Sequence, residues 1–151
     1  MNWLYSPTYG LLDSPGSVAP TAVVTGVTRI SLLQNSGLTL PISMISLLLS
    51  GTGNITAYLR KGITTLRTSL PVNVSGDGVY RFVFPLPALM SSRQAHILQF
   101  SSAVNVMCFS ASDLSAAGIS APAFRVYIGS TLSTAYVVPA ALVVSSDRSW
   151  S

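Results

Sequence analysis

Acid–base catalysis needs titratable side chains held near one another, most often a histidine, glutamate or aspartate tuned towards neutral pH. This chain offers one histidine, no glutamate, and four aspartates at Asp13, Asp77, Asp113 and Asp147. His96 stands in Ala95–Phe100, in phase with Leu98 and Phe100, which predicts a hydrogen-bonded core or rim histidine. A Ser–His–Asp triad is recognised by geometry rather than chain order. With 24 serines present, only a motif would select one, and no Gly-x-Ser-x-Gly elbow occurs. Glycoside hydrolysis wants a carboxylate pair, and four aspartates spread through predicted turns and tails form none. The chain is expected to be non-enzymatic.

The single Cys108 leaves no internal disulfide and no cysteine-rich zinc site, because tetrahedral zinc takes four Cys or His ligands. Its neighbours Val104-Asn-Val-Met-Cys-Phe109 are apolar, so it reads as a small buried hydrophobe. Ser75-Gly-Asp-Gly78 lacks the Gly-Lys-[Ser/Thr] of a phosphate loop and the alternating oxygen ligands of a calcium loop, and is read as a hairpin turn. Asn54-Ile-Thr56 and Asn73-Val-Ser75 match the glycosylation acceptor pattern. Without a secretory leader they are taken as chance matches. No metal or cofactor is expected.

The basic residues are Arg29, Arg60, Lys61, Arg67, Arg81, Arg93, Arg125 and Arg148, and only Arg60-Lys61 is an adjacent pair. Phosphate-driven binding needs several neutralised phosphates on one face. Dispersal argues against a nucleic-acid partner, although strands carrying one arginine each can align some of them on a sheet face. A net charge of +4 and a pI near 9.6 bias the chain towards an acidic partner such as a capsid shell.

Charge is scarce in this chain of 151 residues: 8% of side chains are charged and 49% are hydrophobic, against a usual charged share of about 25%. That excludes a disordered, charge-solvated chain. A soluble monomer usually carries a surface about a quarter to a third charged. Here 24 serines and 12 threonines must supply most of the polar exterior, and the mean hydropathy is +0.56. Large areas are therefore expected to be covered by other protein. The longest uncharged apolar run, Leu38–Leu49, holds Thr, Ser and Pro and is far shorter than the roughly 20 residues of a membrane helix. Met1-Asn-Trp-Leu-Tyr5 lacks the basic and apolar regions of a secretory leader. No membrane association is expected.

Three parts are predicted along the chain: an extended N-terminal arm over 1–20, a β-sandwich domain over 21–146, and a C-terminal tail over 147–151. The arm holds three prolines and two glycines, which exclude a helix or a central strand. Its Trp3, Tyr5 and Tyr9, with Trp150 in the tail, are the expected interface anchors, the arm lying on a neighbouring subunit or, as the alternative, packing on its own domain. From 21 onward, β-branched runs alternate with turn residues. Strands are predicted over Thr21–Leu33, Leu38–Leu49, Asn54–Lys61, Leu66–Val74, Val79–Phe84, Ala95–Phe100 and Val104–Phe109 (separate, or one long strand broken by Ser101-Ser102), Phe124–Ile128 and Ala135–Val144, the last interrupted by Pro139. Pro85 and Pro87 are expected to stop the fifth, and Ala88–Gln94 to make a helical turn. Another helical turn is placed near Asp113. About seven to nine strands without a sizeable amphipathic helix predict an all-β antiparallel sandwich of jelly-roll-like type.

Asn54-Ile-Thr-Ala-Tyr-Leu-Arg-Lys61, Ser75-Gly-Asp-Gly-Val-Tyr-Arg-Phe-Val-Phe84 and Leu98-Gln-Phe-Ser-Ser-Ala103 run as a strand with a basic end, a glycine hairpin and an aromatic strand. In this arrangement the chain resembles small β-sandwich modules of tailed-bacteriophage virion proteins. The resemblance implies a structural role in head decoration or tail accessory structure and carries over no catalytic residue. A capsid decoration (cement) or minor capsid protein is expected, located in the virion. Its expected partners are copies of itself, trimers first, and the major capsid or other virion proteins. A tail-associated receptor- or carbohydrate-binding module is the alternative, with Tyr58, Tyr127 and Tyr136 as outward sugar-stacking candidates.

Overall fold

The computed structural model describes residues 8–9, 18–118 and 124–145. The strands are β1 (Thr8–Tyr9), β2 (Ala22–Leu32), β3 (Leu40–Ser50), β4 (Thr52–Ile55), β5 (Ala57–Lys61), β6 (Thr64–Thr68), β7 (Val72–Ser75), β8 (Gly78–Met90), β9 (His96–Ser110), β10 (Arg125–Ile128), β11 (Thr131–Leu132), β12 (Tyr136–Val137) and β13 (Ala140–Val144). One short helix, α1 (Ala111–Ala116), follows β9. Every strand pairing among the described residues is antiparallel. The fold is the all-β sandwich that the strand-and-turn pattern predicts.

Two layers share a long core. One runs β8–β3–β13–β1, and the other β11–β10–β2–β9–β5–β6. They join where Leu49 and Ser50 of β3 pair with Val106 and Asn105 of β9. On the opposite side, Leu70 N–H donates to the Val83 carbonyl at 2.9 Å and links the β6 side to β8. Long strands can serve both layers because bulges bend them. β2 shifts register around Gly26, whose φ of +68° is a conformation that favours glycine. Phe82 of β8 and Phe100 of β9 meet across the core with ring centroids 5.8 Å apart.

The expected alternation of Ile55, Ala57 and Leu59 inward is present, but the run is two strands. The chain changes partner at Thr56, from β7 to β9, and Ser101 Oγ accepts the Thr56 N–H. Leu66–Val74 likewise divides into β6 and β7. Between them Pro71 supplies no N–H, and the buried Ser69 hydroxyl accepts from Ala57 N–H and donates to the Leu70 carbonyl.

Two local expectations are corrected. β8 does not stop at Pro85 but continues to Met90. Among the described strands its ladder partner is β3, and residues 84–87 fall in a register shift between Val83 and Ala88, where missing N–H groups break no ladder bond. Ala88–Gln94 is not a helical turn either. Ala88 and Met90 point into the core while Leu89 points out, the period of a strand, and the chain then turns through Arg93 at φ +61°. That turn is tied to Gln34, a buried amide no motif had marked. Its backbone carbonyl accepts from Arg93 N–H, its Nε2 donates to the Leu38 and Met90 carbonyls, and its Oε1 accepts from Ser36 N–H. Ala95–Phe100 and Val104–Phe109 form one unbroken strand, β9.

Of the expected anchors, Trp3, Tyr5 and Trp150 lie outside the described residues, as do the tail 147–151, Asp13, Asp147 and Arg148. The backbone of Thr8–Tyr9 pairs with Val143 and Leu142 of its own chain. At this point the arm covers an edge of its own sheet, an edge that would otherwise present unpaired backbone groups.

Candidate interaction surfaces

The candidate catalytic residues do not come together. His96 is fully buried opposite Leu32, and its Nδ1 lies 2.9 Å from the Gln94 carbonyl. With Nδ1 protonated and donating, Nε2 is an acceptor enclosed without a partner. Among the described residues no serine hydroxyl or aspartate reaches either ring nitrogen. Desolvation holds the His96 pKa below its ordinary value; the Gln94 contact opposes this and the Lys61 charge adds to it. The imidazole is therefore neutral, a core histidine as the strand phase suggests. Asp77 sits in the β7–β8 turn and Asp113 in α1.

Other chemical candidates resolve as structure. The Tyr80 hydroxyl accepts from Ser75 N–H and donates to the Gly76 carbonyl, closing Ser75–Gly78 as a turn between β7 and β8. The Cys108 thiol is buried, and its pKa is pushed up to about 12 by desolvation. Among the described residues no three His, Cys, Asp or Glu side chains cluster as metal ligands would.

What the fold does build is a pair of outward sheet faces of opposite character. On the β8 layer, Phe82, Phe84, Ala88 and Met90 take the inward positions, so alternate residues must face out. Those are Val79 (39% exposed), Val83 (39%) and Leu89 (62%), joined by the bulged Leu86 (64%) and by Leu70 (52%), which bonds to Val83. Across the ladder, half-buried Leu48, Met44 and Pro41 stand opposite Val79, Val83 and Leu89. Arg81, opposite Ser46, is the one charge of β8.

The other layer presents polar and aromatic side chains. The register sets Arg29 beside Gln99 and Gln99 beside Tyr58. The Arg29 guanidinium lies over the Tyr127 ring, 4.5 Å from its centroid, and its Nη2 donates to the Gly129 carbonyl. One step along the strands, Arg125 pairs with Ser31, Ser31 with Ile97, and Ile97 with Arg60. Arg60 Nη1 donates to Gln99 Oε1 at 2.6 Å and Nη2 to the Ile63 carbonyl. Arg125 Nη1 donates to the Phe124 carbonyl. Thus Tyr58 and Tyr127 do share an outward face. Tyr136 does not join them: it pairs with Ser110 at the end of β9 and packs against the core.

The sequence carries these arginines one per strand, and their alignment depends on the order β10–β2–β9–β5. The apolar face was hidden for a related reason. An alternating run such as Val79–Phe84 shows which residues share a side, but both sides of this one carry large apolar residues, Arg81 standing alone between Val79 and Val83. No family model, curated protein or solved structure matches the chain.

Proposed function

We infer that this chain is a non-enzymatic structural protein of a virus particle, of the capsid decoration or minor capsid kind, that works by packing against copies of itself and neighbouring shell proteins. The observation that carries the reading is the outward side of β8 and its margin. There Val79, Val83 and Leu89, with Leu86 in the bulge and Leu70 bonded beside Val83, stand exposed around Arg81, the one charge of β8. A contiguous apolar patch of this sort marks a surface meant to be covered. Low overall charge supports the same view, because few ionisable groups remain to keep a lone copy dispersed. The side of β8 away from β3 does not invite open-ended strand addition, since Pro85 and Pro87 interrupt its donors. Face-to-face packing is left as the mode of contact.

Native mass spectrometry of the purified chain tests the assembly claim: a closed oligomer is expected, and a lone monomer at micromolar concentration overturns it. Sedimentation of particles from an infected culture tests the virion claim separately. The protein is expected to travel with intact particles, and its absence from them removes the virion assignment even where the oligomer stands. The tail-associated carbohydrate reading is the weaker one: it keeps two of its three tyrosines, and both stand among arginines that a neutral sugar does not require.

A further inference from the structure

We propose that copies of this chain also join head to tail: the β5–β6 hairpin of one seats Ile63 in an apolar cleft beside α1 of the next, where Lys61 meets Asp113. Ile63 is 92% exposed, more than any other large apolar side chain among the described residues. It does not sit on a loose loop. Gly62 and Ile63 make a two-residue turn closed by the Lys61–Thr64 pair, and Gly62 takes φ +63°, the conformation such a tight hairpin favours in glycine. Arg60 folds back along the hairpin. Its Nη2 donates to the Ile63 carbonyl at 3.0 Å, its Nη1 donates to Gln99 Oε1, and its Nε is enclosed. That guanidinium braces the tip and is not offered to a partner. Lys61 is exposed at the base of the tip, where its ammonium contacts the Ser91 hydroxyl at 3.4 Å and keeps donors to spare. The hairpin 57–68 holds no acidic residue.

The cleft lies at the other end of the molecule. Val18, Ala19, Ala116 and Ala117 line it with Thr21 and Asp113, around a space of about 490 Å³. Sites that enclose a bound group usually span roughly 300–1,000 Å³, so this one has room for a hairpin tip. Its walls are fixed, because fully buried Leu114 ties α1 to Val18, Phe109 and Val137 in a small second core. Small apolar walls suit a branched aliphatic side chain. Asp113 is one of two acids among the described residues, and the other, Asp77, stands in the β7–β8 turn. Arg60 pairs with Ile97 near the start of β9, whereas α1 follows Ser110 at its end. From Ile97 to Ser110 the strand runs roughly 40 Å. A hairpin held in its own ladder cannot reach its own cleft, so the tip must enter another copy. Such a contact joins unlike surfaces, and it closes into rings or runs on as filaments. It rests on the reading that copies of this chain assemble, and it adds a directional contact to the one at the β8 side.

Sedimentation velocity of paired variants tests it, with Leu89→Lys in every chain so that the β8 side takes no part. Ile63→Glu spoils the tip and leaves the cleft, whereas Ala116→Arg fills the cleft and leaves the tip. Each should stay monomeric alone, and the two mixed should form a 1:1 pair that grows no further. Loss of the buried aliphatic side chain should weaken the contact about 10- to 150-fold. Lys61→Glu and Asp113→Lys should each weaken association, and together they should restore it. Ile63→Lys keeps a four-carbon stem for the wall and brings an ammonium to Asp113, so it leaves association in place. Every substituted position is exposed, and melting curves report the fold of each variant. If a tip or cleft variant misfolds, the Lys61 and Asp113 exchange decides the matter. A mixture without the 1:1 pair, or an exchange that restores nothing, overturns the proposal; wild-type oligomers that persist in that case leave the assembly reading standing. Loss of association in the cleft variant but not in the tip variant overturns it too, and assigns the cleft to another occupant.

Discussion

Replacing Leu89 by lysine places a charge in the middle of the proposed packing face. Leu89 stands opposite Pro41, points away from Met90 and Ala88, and is 62% exposed. Full burial of a leucine side chain contributes about 1.5–3 kcal/mol, so covering the exposed fraction is worth about 1–2 kcal/mol per copy. In a two-fold contact the residue counts twice, giving ~2–4 kcal/mol, or about 30- to 1000-fold in dissociation constant. The isolated fold should hardly notice, because an exposed substitution away from special features costs within about 0.5 kcal/mol. Light scattering across a dilution series reads the mass, and melting at the lowest concentration reads the fold. Ile63→Lys is the control: Ile63 is 92% exposed in the turn between β5 and β6, off the β8–β3 face. Leu89→Lys should shift the series towards monomer while Ile63→Lys leaves it alone. Equal behaviour of the two variants, or an unchanged mass for Leu89→Lys, would refute the assignment of this face.

Three other outcomes follow from the interior. Phe82→Ala removes a fully buried ring that meets Phe100 across the core; a loss of about 3–5 kcal/mol is expected, seen as a melting temperature lower by roughly 6–20 °C. Urea midpoints should fall as pH drops below about 6.5, because the unfolded chain protonates His96 more readily than the folded one, whose pKa is lowered. His96→Gln should flatten that dependence, and an equally steep variant would show that other groups carry it. The Cys108 thiol should resist Ellman's reagent at pH 8 in the folded chain and react at once in denaturant. Finally, Gln34→Ala strands the buried Met90 carbonyl, while the exposed Ser36 N–H and Leu38 carbonyl can turn to water or to the Ser36 hydroxyl, and should lower stability by about 1–3 kcal/mol in urea titrations.

The amino-acid order alone determined that this is a sheet protein. β-branched runs punctuated by glycine and asparagine turns cannot be read as helices, and the inward phases of Ile55, Leu59, Phe82 and His96 follow from a period of two. It also determined what Cys108 and the Ser75–Gly78 turn are, since those depend on neighbours a few residues away. Proline misled it at Pro85 and Pro87, because a missing N–H matters only if a ladder partner awaits it, and that depends on a strand more than 40 residues earlier. Gln34 was invisible for the same reason: two of its bonds are local, but those to Met90 and Arg93 close only in the folded chain. Tertiary structure alone decided which layer each long strand serves, and therefore which side chains face outward together. The Arg29, Tyr58 and Tyr127 face and the Val83 and Leu89 face both arise from strand order and register. Those are properties of non-local hydrogen bonding, which no local pattern of residues encodes.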